Sequence, residues 1–220
     1  MNRFITTTAL CITTILLGCA GPAPTPEPGL EVLQYGQGHE MQVATDVDWN
    51  SYKKIILHSA PVEFADYWRR NQERLHGRAM PDEVVARIEG AVSDQMGKVM
   101  YETLAERGGY EMIRESGPGV MVFLPNITEL DIQATGWVQS SSLESVPLSR
   151  GSMTTELVIR DSVSDKLLAV AWQQQHDRHE GDVEWTTSIS NAYAFRLMSQ
   201  DFATWIVRRL DDLKAEPQDR

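Results

Sequence analysis

The chain has 220 residues, with 20 Lys and Arg against 31 Asp and Glu and a formal net charge of −11 at pH 7. Such acidity repels phosphate backbones and anionic headgroups, which argues against nucleic acid as a partner and against electrostatic docking on lipid. Both cysteines, Cys11 and Cys19, lie near the N-terminus, so the rest of the chain has no thiol nucleophile, cysteine zinc site or disulfide and must be held by an apolar core.

The first stretch is an address. Arg3 and the amino terminus give a basic start, and Phe4 to Leu17 is an apolar run shorter than the ~20 residues that span a bilayer. With Gly18 at its end it reads as a secretory signal peptide over residues 1–18. Leu16-Leu17-Gly18-Cys19 resembles a bacterial lipobox, which implies cleavage between Gly18 and Cys19 and lipidation of Cys19 with acyl chains such as palmitate. Each buried methylene of such a chain is worth ~0.8 kcal/mol, so several chains make a lasting anchor. Ala20 after the cysteine, in place of Asp, resembles the sorting signal for the outer membrane, with the domain facing the periplasm. No cofactor is expected beyond this covalent lipid.

Residues 19–30 carry the lipidated cysteine and a proline-rich, polyproline-like tether. Residues 31–47 are polar and glycine-punctuated and are expected to be an irregular lead-in. The folded domain is expected over 48–213. Lys53-Lys54-Ile55-Ile56-Leu57-His58 reads as a short buried strand ended by Pro61. Residues 61–81 follow as a long crossover in which Phe64, Tyr67 and Trp68 are interleaved with arginines. Their aromatics are expected either to cap the core or to face a partner, since long loops are often functional.

Pro81-Asp82-Glu83 is a helix start, with proline in the first turn and acids toward the positive end of the dipole. Val85, Ile88, Val92, Met96, Val99 and Thr103 recur at helical spacing and predict one buried face. Gly90 and Gly97 are expected to let a neighbouring strand approach, and Gly108-Gly109 to stop the helix. Gly117-Pro118-Gly119 is a turn into the apolar strand Val120–Leu124, with Pro125 expected to bend or end it at an edge or bulge. Residues 133–150 read as a polar excursion around Trp137, a further partner-binding candidate. Met153 to Ile159 and Leu168 to Gln173 alternate across a loop at Asp161–Lys166, which predicts a hairpin with one face on the core.

After the hairpin comes His176-Asp177-Arg178-His179-Glu180. His176, His179 and Glu180 are weak metal candidates: in extended chain the two imidazoles point to opposite faces, and Arg178 adds a like charge. No metal site is expected. Phe195, Met198, Phe202, Ile206, Leu210 and Leu213 form the buried stripe of a last helix near 187–213, and residues 214–220 a disordered tail. The elements add up to an α+β single domain: a mostly antiparallel or mixed sheet of about 4–5 strands carrying two long helices, with a βαβ-type start, a hairpin and a C-terminal helix.

Asp48-Trp49-Asn50-Ser51-Tyr52-Lys53-Lys54, Gly117-Pro118-Gly119-Val120 and Glu156-Leu157-Val158-Ile159-Arg160-Asp161-Ser162, together with Trp205, resemble segments of the DUF3313 group of Gram-negative lipoproteins. The hairpin turn departs from the group, with Val163-Ser164-Asp165 where Thr-Gly is common. The resemblance implies address and fold and brings no assigned activity. The chain also has no Gly-x-Ser-x-Gly, no His-Glu-x-x-His and no phosphate-cradling glycine loop. The expected function is therefore non-enzymatic: an accessory or interaction module for another envelope component, bound to the membrane by its lipid and to an unidentified envelope protein. The alternative is a small-molecule or lipid carrier with a cleft between sheet and helices. A hydrolase is the least favoured reading.

Overall fold

The computed structural model describes residues 27–34, 36, 38–132, 134, 151–176 and 188–215. The class is α+β, as the residue patterns predict, but among the described residues the sheet has eight strands where about 4–5 are expected from the sequence. The strands are β1 (Leu30–Gln34), β2 (His39–Ala44), β3 (Lys54–Leu57), β4 (Val62–Phe64), β5 (Glu111–Met112), β6 (Val120–Asp131), β7 (Ser152–Asp161) and β8 (Leu167–His176). They lie in the order β1-β2-β8-β7-β6-β3-β5, with β4 also on β6. The β3–β5, β3–β6 and β4–β6 pairs are parallel and the others antiparallel, so the sheet is mixed.

Two expectations are corrected here. Residues 31–47 are not irregular: they carry β1 and β2, an antiparallel hairpin that adds two strands to the edge of the sheet. The crossover at 61–81 is not all loop either. It holds β4 and the short helix α1 (Trp68–His76), which ends on Gly77 in the left-handed conformation at φ 66°, where glycine carries no Cβ penalty.

The long helices are α2 (Asp82–Glu106) and α3 (Ser188–Ala215). On α2 the buried residues are Val92, Met96, Val99, Met100, Thr103 and Leu104, while Val85 and Ile88 are half-buried at its N-terminal end. Gly90 and Gly97 do not admit a strand, since a Cβ at either would meet nothing within 4 Å. All six expected stripe residues of α3 are buried, and the helix runs on through Lys214 and Ala215 into the expected tail.

Both long helices share one core with a single face of the sheet. Ile55, Met121, Phe123, Leu157, Ile159, Ala169 and Ala171 pack there with Met96, Met100 and Leu104 of α2 and Phe202, Ile206 and Leu210 of α3. In β8 the core side is taken by Ala169 and Ala171, while Val170 and Trp172 are half-buried on the other face. The cause is a bulge: Ile159 pairs Ala169 but Arg160 pairs Leu167, so the extra residue Leu168 resets the alternation. The small alanines leave room for α3, which packs on β8.

Pro125 neither ends nor bends β6 out of the sheet. β3 pairs β6 as far as Phe123, and β4 takes over from Ile127. Ile127 donates its N–H toward that side, to the Pro61 carbonyl at 3.0 Å. Pro125, two residues earlier, therefore turns its missing N–H into the gap between the β3 and β4 pairings, where no ladder bond is lost.

Candidate functional site

The two ends of the β6–β7 ribbon have different chemistry. At the Val120 end, the three segments that carry the family resemblance meet in one hydrogen-bonded corner. Asp48 accepts from the Asn50 N–H at 3.0 Å and starts a one-turn helix at Trp49–Ser51. The Gly119 carbonyl accepts from the Lys53 and Lys54 N–H groups at 3.2 and 3.4 Å. The Ser162 hydroxyl accepts from the Gly117 N–H at 3.1 Å and donates to the Gly117 carbonyl at 3.0 Å.

Asp161 is the hub. It accepts from the Val163 and Ser164 N–H groups at 3.1 and 2.8 Å, from the Ser164 hydroxyl at 2.8 Å and from the Tyr52 hydroxyl at 3.0 Å. The Ser164 N–H leads the groups that hold its carboxyl below the usual range, while burial and the Asp161 charge push the Tyr52 phenol up to about 12. These residues are architecture. Their side chains are spent on one another.

At the other end of the ribbon lies a cleft of about 430 Å³ lined by β4, the loop after it, and the ends of β6, β7 and β8. That volume is in the range of ligand and side-chain pockets. Thr128, Thr154 and Gln174 form a cross-strand row along it. Glu63, Asp66 and Glu129 bring three carboxylates, Phe64 and Tyr67 the aromatic wall, and His176 the rim, with no lysine or arginine among the described lining residues.

Glu129 is placed by a bulge. β6 pairs β7 at Thr128–Thr154 and next at Asp131–Ser152, and Glu129 takes φ 52°, a costly region for a residue with a Cβ. The left-handed turn returns Leu130 to the core at 0% exposure and throws Glu129 outward, where its carboxylate accepts from the Thr154 hydroxyl at 3.1 Å. Re-aiming one side chain is a common use of a bulge.

The candidates chosen from sequence divide. Tyr67 is 46% exposed and its hydroxyl donates to Asp131 Oδ2 at 3.0 Å; burial, then that bond, raises its pKa. Phe64 is half-buried and stacks on Trp68 at 3.7 Å between ring centroids. Trp68 itself is no partner-facing residue. It is 1% exposed, packs with Met80 and Ala134 in a second small cluster, and donates its indole N–H to the Ile132 carbonyl at 2.5 Å. Arg69 is also structural, bonding the Met80 carbonyl at 2.6 Å and Asp82 at 2.7 Å to tie α1 to the start of α2.

His176 is exposed at the cleft rim, so the fold brings it to the same place as Phe64 and Tyr67. Gly18, Cys19, Trp137, His179 and Glu180 lie outside the described residues. Among the described residues no group of three or more His, Cys, Asp or Glu is arranged to hold a metal ion. The interface of sheet and helices, where a carrier cleft was expected, is filled by side chains such as Met96, Met100, Phe123 and Phe202 at 0% exposure. Sequence reasoning missed Glu63, Asp66, Glu129, Thr154 and Gln174. Thr128 and Glu129 interrupt the apolar run of β6, but nothing local reveals that four separate segments converge there.

The family described as a protein of unknown function, DUF3313, matches residues 36–205. No curated protein matches the chain. Among solved structures, the PelC dodecamer from Paraburkholderia phytofirmans is similar at 7% identity and a TM-score of 0.38, covering 78% of this chain and 95% of that one. A DUF330 protein from Xanthomonas campestris is similar at 11% and 0.38, covering 73% and 99%. A homologue of a neuraminyllactose-binding hemagglutinin from Helicobacter pylori stands at 11% and 0.32, covering 76% and 87%. At these identities and TM-scores the likeness carries no conclusion about this chain.

Proposed function

The chain belongs to the DUF3313 family, and from that premise we propose that it is an outer-membrane lipoprotein whose periplasmic domain engages another envelope component without catalysing a reaction. The observation that carries the reading is the pair Leu16-Leu17-Gly18-Cys19 and the proline-rich stretch after it. An acylated Cys19 would hold the protein at a membrane, and the tether would let its domain search a short distance from it. The cleft between Tyr67 and His176 supplies the engaging surface. Its polar groups are fixed by hydrogen bonds, Glu129 to Thr154 and Tyr67 to Asp131, which suits recognition of a defined shape.

A second reading, a small-molecule carrier, draws on the cleft's volume of about 430 Å³; its ligand would sit at the end of the sheet rather than beneath the helices.

The test is fractionation. Cys19→Ala is expected to give a folded protein that no longer sediments with the outer membrane. If that variant still sediments there and a crosslinker finds no retaining protein, the anchor is not Cys19 and the reading fails.

A further inference from the structure

The cleft has both a position relative to the tether and a charge. Chain entry fixes the position. The Glu27 N–H donates to Gln42 Oε1 at 2.7 Å, and Leu30 pairs Ala44, while Val43 pairs Ala169 near the start of β8. The tether thus joins the sheet toward the β7–β8 turn, where Lys166 also pairs Asp46 at 2.7 Å. β8 then runs to Gln174 and His176 at the cleft, a strand about 30 Å long at ~3.4 Å per residue. From Cys19 to Glu27 the chain reaches at most ~28 Å. Anchored at one end of the sheet, the domain presents the cleft at the other.

Among the described residues the charge is one-sided. Glu63, Asp66 and Glu129 line the cleft with no described lysine or arginine among them, Asp131 stands just beyond at the Tyr67 hydroxyl, and Arg69 of α1 is paired with Asp82 and Glu73. A concave wall of one sign focuses potential and raises the local concentration of the opposite sign, and an aromatic ring beside it favours a cation further. Phosphate, carboxylate and anionic lipid are disfavoured on the same ground.

We infer that the cleft is the docking point for a basic segment of a protein partner, whose lysine or arginine side chain enters between Tyr67 and Glu129 at the end of the domain remote from the tether. This rests on the interaction reading proposed above and gives it a partner chemistry. The occupant is a peptide rather than a lipid because the cleft is polar, acidic and held away from the anchored end.

The test uses the full-length protein in detergent micelles and fluorescent hexalysine, followed by anisotropy. Saturable binding is expected, weakened at least tenfold in a Glu63→Gln, Asp66→Asn, Glu129→Gly variant. A control variant with Asp94→Asn, Glu102→Gln and Glu106→Gln, acids exposed on α2, removes the same charge elsewhere and is expected to change binding less than twofold. Equal weakening in both variants means diffuse attraction and overturns the inference. So does displacement of hexalysine by spermidine at equal concentration of charge, because a free organic cation would then be the ligand. The two readings fail separately. A partner crosslinked from Tyr67 and indifferent to the cleft variant removes the basic-segment inference and leaves the interaction module standing. Hexalysine bound at the cleft with no partner in cells does the reverse.

Discussion

Gly119 offers a quantitative test of the corner that the family segments build. Its φ is 71°, and a Cβ placed there would lie 2.7 Å from the Ser51 carbonyl oxygen. Gly119→Ala therefore meets two costs. The left-handed conformation costs a residue with a Cβ ~1–2 kcal/mol. The overlap is with backbone on both sides, so it can be relieved only by moving the turn at Trp49–Ser51 away from the Gly119 carbonyl, which accepts from Lys53 and Lys54. Losing or stretching one such bond adds ~1–2 kcal/mol.

Gly77→Ala isolates the first cost. Gly77 has φ 66° and nothing within 4 Å of its Cβ position. The assay is urea unfolding of the purified protein followed by tryptophan fluorescence, with Trp49, 5% exposed, as a reporter inside the corner. With a slope of ~2 kcal/mol per molar, Gly119→Ala is expected to unfold about 0.5–1 M urea below Gly77→Ala, and both below the parent chain. Equal midpoints for the two variants would refute the close approach and with it the corner as a packed unit.

The other predictions concern Asp161 and Glu129. Asp161→Ala removes the acceptor of four hydrogen bonds; since these are partly exposed, a loss of ~1–3 kcal/mol is expected in the same urea assay. The carboxyl titrates lower in the folded chain than the ordinary ~3.9. Its stabilisation is therefore complete above pH ~4 and disappears as pH falls through the lower folded value, so Asp161→Asn should flatten acid unfolding in that window and leave the neutral-pH slope alone. Glu129→Gly gives up the bond to Thr154 and relieves the φ 52° backbone; the terms oppose, and a net change within ~1 kcal/mol is expected. A loss of several kcal/mol would mean that Glu129 is a structural support.

Much of the fold was legible because two long helices carry their own signal. Phe195 to Leu213 and Val92 to Thr103 repeat at helical spacing, and burial follows that spacing. α1 was invisible for the opposite reason: only Trp68 and Gln72 are buried on it, too few for a stripe, and its arginines read as loop. β1 and β2 are short and punctuated by Gly29, Gly36 and Gly38, each at positive φ, so their pairing to each other and of β2 to β8, rather than any local pattern, makes them strands. The bulge at Leu168 reversed the alternation that the sequence of β8 suggests.

The site was only half legible. Phe64, Tyr67 and His176 stand out as residue types, but their meeting depends on β4 joining β6 beyond Pro125. Glu129 depends on a left-handed residue that no propensity favours. Such sites are assembled by long-range pairing, and the residues that complete them look ordinary in the chain.

In-cell photocrosslinking from position 67 tests the central claim most directly. A photoreactive residue in place of Tyr67 is expected to give one discrete adduct with an envelope protein, while the same residue in place of Tyr101, 53% exposed on α2, gives none. The same adducts from both positions, or none from position 67, would contradict a cleft that docks a partner.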